Sequence, residues 1–196
     1  MANSNKWTKQ PPIAGASTKV VLAERVYIAP ADTAYADPGA KLNGAEPAAP
    51  WTDLGIVMNS RVNLTYTKDI RYVETGIERV RRGAYSLGKT AETSFTLEQY
   101  DIEQLELVTD LTAGAVGGIG EKLHIGQDDI VDKALLFLGI NKVDGKEHHI
   151  YCKKGTISFN VAQEDDFRVL QVTASLYPFV PSGETEEAYF TWYVLD

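Results

Sequence analysis

His148, His149 and Cys152 come closest in type to a metal site, because imidazole nitrogen and thiolate sulfur are the ligands zinc takes. Their spacing argues against one. On a strand, His148 and His149 point to opposite faces. His148 and Cys152 share a face but stand roughly 13 Å apart at about 3.3 Å per residue. They read as surface or interface residues. The pairs Asp128-Asp129 and Asp165-Asp166 could do acid–base work only if burial or a partner shifted them. Both flank expected turns, where carboxylates stay solvated. Gly114 to Gly120 is glycine-rich but lacks the Lys-Ser/Thr of a phosphate loop. No Gly-x-Ser-x-Gly elbow and no Ser, His and Asp set stands out. The expectation is a chain without catalysis, metal or cofactor.

Charge is more informative than any of these groups. The formal net charge is −8 over 196 residues. Arg61 to Lys89 holds seven bases (Arg61, Lys68, Arg71, Arg79, Arg81, Arg82, Lys89) against the acids Asp69, Glu74 and Glu78. That segment is therefore +4 and the remainder −12. An acidic body repels nucleic acid and anionic membranes, and the basic segment lacks the interleaved aromatics of a single-strand binder. Three readings remain open: a solvated hairpin, a nucleic-acid contact, or a basic tip that docks on the acidic face of another copy. Cys152 is the only cysteine, so no intramolecular disulfide forms. The N-terminus lacks the apolar core of a signal peptide, and the longest apolar run, Ala134 to Leu138, is far too short to span a membrane. The chain reads as cytosolic at synthesis.

The elements that would position these residues are mostly strands. With ten Tyr, six Phe and three Trp, the composition leans toward sheet. Residues 1–16 read as a flexible arm, and 17–196 as one domain. Strands are expected at Lys19–Ile28, Trp51–Met58, Arg61–Thr67, Tyr85–Glu98, Lys122–Ile125, Ala134–Val143, His148–Lys153, Thr156–Ala162, Phe167–Tyr177 and Ala188–Leu195. Asp144-Gly145 is a strong hairpin turn signal, and Lys154-Gly155 reads as another turn. Lys68 to Gly83 forms the arms and tip of a long hairpin at about 61–90. Residues 29–50, rich in Ala and Pro, form a long loop, either a disordered insertion or a segment that orders against a neighbouring subunit.

The hydrophobic period changes within Tyr85–Leu111. Ala91, Thr93, Phe95 and Leu97 alternate with Glu92, Ser94, Thr96 and Glu98, the period of a half-buried strand. From Asp101 onward Ile102, Leu105 and Val108 recur every three residues, a short helix with Asp101 as N-cap, Gln104 completing a capping box and Gly114 as a stop. The predicted fold is an antiparallel β-sandwich or barrel carrying one packed α-helix and long loops.

The run Gly88-Lys89-Thr90-Ala91-Glu92-Thr93-Ser94-Phe95-Thr96-Leu97-Glu98, followed by Asp101-Ile102-Glu103-Gln104-Leu105, resembles the tail tube (major tail) proteins of tailed bacteriophages. The hairpin from Glu74-Thr75-Gly76-Ile77 to Arg82-Gly83 and the terminal strands ending near Leu176-Tyr177 support the resemblance, which covers roughly Thr52 to Leu111. It implies a virion protein whose rings, expected to be hexameric, stack into a hollow tube that conducts DNA without binding it specifically. It implies as partners a tape-measure protein, a tail terminator, tip or baseplate proteins and, in contractile tails, a sheath. Tubes of phage-like injection and secretion systems are the related alternative, and a carbohydrate- or receptor-binding virion sandwich is a further one. On this reading Glu92, Ser94, Thr96 and Glu98 are lumen candidates. Arg71, Glu74, Arg79, Arg81 and Arg82 are candidates for contacts between rings, and Ile102, Leu105 and Val108 pack the helix against the outside of the sheet.

Overall fold

The computed structural model describes residues 23–36, 38, 41–75, 80–98, 100–111, 113–116, 120–122, 131–141, 144–164 and 167–196, with backbone pairing alone over 69–75, 80–87, 115–116, 120–122, 163–164 and 167–168. Nine strands and one helix follow in the order β1 (Arg25–Pro30), β2 (Thr52–Thr75), β3 (Val80–Leu97), α1 (Ile102–Thr109), β4 (Gly114–Val116), β5 (Gly120–Lys122), β6 (Val131–Ile140), β7 (Glu147–Glu164), β8 (Phe167–Leu176) and β9 (Thr191–Leu195). Pairing runs β6-β1-β2-β3-β8-β7 and returns from β7 to β6, so six antiparallel strands close on themselves, and β9 adds to β7. The fold is mainly β and barrel-like, as the alternating runs require.

Two long strands bend from one wall of this barrel to the other. β2 pairs with β1 up to Ile56, then breaks register between Val57 and Val62 before continuing along β3. Asn59 (φ 54°) and Ser60 (φ 51°) make the corner in left-handed backbone, as bulged strands do where sheets switch. The sequence reads as two strands there because the corner is polar. β7 pairs with β6 over Glu147–Ile157 and with β8 over Gly155–Glu164. Lys154-Gly155 is therefore no turn. A Cβ on Gly155 would stand 3.0 Å from Leu176 and 3.3 Å from Ala174, so glycine admits the close approach of β8.

The first wall comprises β1, β6, the start of β2, the first half of β7, and β9. The second comprises the rest of β2, β3, β8 and the second half of β7. Between them Phe137 of β6 meets Phe95 of β3 edge-to-face at 5.3 Å. Leu97, Leu135, Val172 and Cys152 fill the same interior, every one at 1 % exposure or less. Burial pushes the Cys152 thiol up to about 12. The β2–β3 pair continues past the barrel as a two-stranded ribbon whose pairing holds to Thr75 opposite Val80.

The helix starts where expected. Asp101 caps it through Glu103 N–H, and Gln104 reaches back to Asp101 N–H. It ends earlier, at Asp110 in left-handed conformation, and Gly114 opens β4. Val108 joins the cluster between the walls, with Leu105 and Leu107 half-buried against it, while Ile102 is half-buried outside that cluster. The helix thus packs on the inward side of the first wall rather than behind the sheet. The glycine-rich stretch is not wholly loop, because β4 and β5 pair within it. The expected strand residues 19–22 and 123–125, and both candidate acid pairs, lie outside the described residues.

Candidate functional site

The outer faces of the two walls differ. On the first wall, Tyr27, Leu136, Leu138, Ile140 and Tyr151 point away from the barrel interior and form a second apolar cluster. Tyr35, Leu42 and Trp51, from residues 31–51, pack over it. The long Ala/Pro-rich segment, described over 31–36, 38 and 41–51, is therefore a strap laid on its own wall. It carried no periodic signal because it contributes only three large apolar side chains at irregular intervals.

The strap is tied by polar groups that the sequence did not mark. Glu147 is fully buried. Its Oε2 accepts from Leu42 N–H and its Oε1 from Asn43 N–H, both at 2.8 Å. His149, also fully buried, places Nε2 3.3 Å from Glu147 Oε2, and Nδ1 lies 2.8 Å from the Tyr35 hydroxyl. Satisfying all three groups assigns Tyr35 as donor to Nδ1 and Nε2–H as donor to the carboxylate. Burial alone would raise the Glu147 carboxyl, but the hydrogen bonds from His149, Asn43 and Leu42 outweigh it and hold it below its ordinary value. Desolvation raises Tyr35, and pushes Tyr151 up to about 12. The Tyr151 hydroxyl donates to Thr33 carbonyl oxygen at 2.6 Å.

The surface expectation for the histidines is thus corrected. His149 lies under the strap, and His148 is 7 % exposed on the opposite face, where its Nδ1 accepts from Trp192 Nε1 at 2.9 Å. Alternation does separate the two rings, so no shared metal site arises from them. Among the described residues no group of three or more His, Cys, Asp or Glu could hold a metal ion, and no helix is long and apolar enough to cross a membrane.

The second wall has no such cover among the described residues. Cross-strand register sets its outward side chains in rows. Asn63, Ser94, Thr173 and Ser158 form one; Thr65, Glu92, Ser175 and Thr156 form the next; Thr96, Gln171 and Asn160 form the third. All eleven are polar, all are exposed or half-exposed, and Glu92 alone is charged. The middle of this face is an open trough of about 330 Å³. Exposed Arg61 is among its lining residues, and a second cation is tied at the rim. Lys154 pairs with Asp132 at 3.0 Å and lies 5.0 Å from the Tyr177 ring centroid, while Asp132 also accepts from Thr156 at 2.6 Å. The Thr156 bond first, then Lys154, lowers the Asp132 carboxyl.

Three of the four lumen candidates fall where alternation put them: Glu92, Ser94 and Thr96 project from the second wall, opposite buried Ala91, Thr93, Phe95 and Leu97. Glu98 is exposed just past the end of β3, beside the cleft that also takes Arg25, Asp53 and Asp101. The rows contributed by β2, β7 and β8 were missed as a set. Their signal was present in each strand as an uncharged polar alternate, but only the register joins them. On the ribbon, Glu74 pairs with Arg81, Arg71 with Tyr85, and Arg82 falls at the register break beside Gly83. Arg79 lies outside the described residues. A scan against protein-family models finds no match, and a search of curated proteins likewise finds none.

Proposed function

We propose that this chain is a structural wall protein that assembles with copies of itself into stacked rings forming a hollow tube, of the kind found in phage tails. The reading rests on one observation: a broad β face, uncovered among the described residues, whose outward rows are neutral apart from Glu92, with Arg61 the cation lining its trough. A channel that passes DNA must not hold it. Lys and Arg supply the charge that holds phosphates, so a bore lined mainly with Ser, Thr, Asn and Gln offers a polyanion only uncharged hydrogen bonds apart from Arg61. The basic ribbon then lies away from the bore, where it can meet acidic surfaces of a neighbouring ring. Among the described residues its two strands and β9 offer unpaired edges, and head-to-tail contacts through such edges generate rings and filaments. The mechanism is assembly rather than catalysis. The partners are other copies, a tape-measure protein within the bore, and terminator and tip proteins at the ends. The place of action is the virion tail, after assembly in the host cytoplasm.

Sedimentation of the purified full chain, alone and with a tape-measure protein from the same genome, tests this reading. Large, regular assemblies are expected with the partner present. A single monomeric species under every condition contradicts it.

A further inference from the structure

The strap and the barrel are held by different chemistry. The cluster between the walls is made of apolar side chains and Cys152, with buried His148 beside its Phe137 and Ile150. The strap, by contrast, hangs on a single buried carboxylate. Each Glu147 oxygen takes one strap N–H, and Oε2 also faces His149. Those N–H groups sit at the turn where Asn43 (φ 54°) and Gly44 (φ 83°) are left-handed, so the chain there is shaped around the anion. Other polar ties are Tyr151 to Thr33 oxygen, Tyr35 to His149, Asp32 N–H to Lys153 oxygen, and Lys41 Nζ to Gly145 oxygen at 3.2 Å.

We propose that residues 31–51 form an acid-releasable strap: protonation of Glu147 frees the segment from the first wall while the barrel stays closed, uncovering the tyrosine-rich face beneath. A carboxylate accepts at both oxygens, whereas a carboxylic acid must place a proton on one of them. Two converging N–H donors and an imidazole cannot all be satisfied by that form. Glu147 is the acid that the strap amides touch directly. From the strap, burial raises the Tyr35 hydroxyl, and Lys41 reaches the Gly145 oxygen. Asp32 lies 4.0 Å from Lys153, Asp144 accepts from Lys146 N–H, and Asp196 pairs with Lys146, so none of these three touches the strap amides. His149 donates to the anion from its own strand, so its contribution depends on the same charge.

Amide hydrogen exchange followed by NMR on the full chain from pH 7 to pH 3, with intrinsic rates divided out, tests the proposal. Leu42 and Asn43 should lose protection by about tenfold or more as Glu147 titrates, while the amides of Phe137 and Val172 keep theirs. In Glu147→Gln, which presents one oxygen and one N–H₂ to the same donors, the strap amides should be poorly protected at pH 7 and insensitive to pH. Strap protection that persists until the barrel amides exchange overturns the proposal, as does wild-type protection in a folded Glu147→Gln protein. Should that variant not fold, the wild-type pH series alone decides.

Discussion

The two walls of this barrel are built from the same antiparallel pairing, yet their outer faces have opposite fates. The first carries Tyr27, Leu136, Leu138 and Tyr151 outward and needs a cover, which the 31–51 strap supplies. The second carries Ser, Thr, Asn and Gln outward and has none among the described residues. Apolar area left in water costs roughly 25 cal/mol per Å², so the aromatic face recruits whatever chain is near. Neutral polar side chains carry no such penalty and can remain open to a partner or a channel. The contrast separates a stability surface from an available one within one small domain.

The sharpest way to break that contrast is a matched pair of acidic truncations. Glu147→Ala strands two strap N–H groups and His149 in a buried site and should cost about 3 kcal/mol in guanidinium unfolding. Glu92→Ala, on the open face, should change stability by no more than about 0.5 kcal/mol. Equal costs would erase the distinction. Next in size is Gly155→Ala, where β7 crosses between the walls. The added methyl must displace Leu176 or Ala174, at a cost of about 1–3 kcal/mol, read as a lower denaturation midpoint with unchanged slope.

Acid sharpens the comparison further. The folded Glu147 carboxyl is held below its ordinary value of 4.5, so its contribution is complete above that value and is lost as the pH falls through the folded one. The thermal midpoint of the wild type should therefore drop below pH 4.5 more steeply than that of Glu147→Gln, and parallel curves would contradict the assignment. The smallest effect is expected for Thr173→Ala in the middle of the open rows. It should leave the melting curve within error, because Thr173 is only half-buried and its backbone keeps the ladder.

What the sequence disclosed follows the same division. The alternation at Ala91–Glu98 and the capping box at Asp101–Gln104 are local signals, and both read correctly because one strand and one helix terminus carry them alone. The mainly-β class followed from many such runs. The corner at Asn59-Ser60 and the passage of β7 through Lys154-Gly155 were misread as breaks, since a residue suited to a turn is also suited to a bend or a close strand approach. The strap could not be read at all, because its order comes from a wall some 100 residues away in sequence: Leu42 and Asn43 bond Glu147 across separations of 105 and 104. For the same reason His149 reads from the sequence as a surface or interface residue, and Glu147 carries no signal there. The open face was half-legible. Glu92, Ser94 and Thr96 could be placed outward from β3 alone, but the rows they belong to exist only through the pairing of four strands.

The central claim is that the open polar face of the second wall lines the bore of a tube. A cryo-electron microscopy reconstruction of the assemblies formed with a tape-measure partner tests it directly. The account predicts a hollow tube with Asn63, Ser94, Thr173 and Ser158 facing the axis and the strap of residues 31–51 turned away from it. A tube with those four residues on its exterior, or with the strap lining the bore, would contradict it.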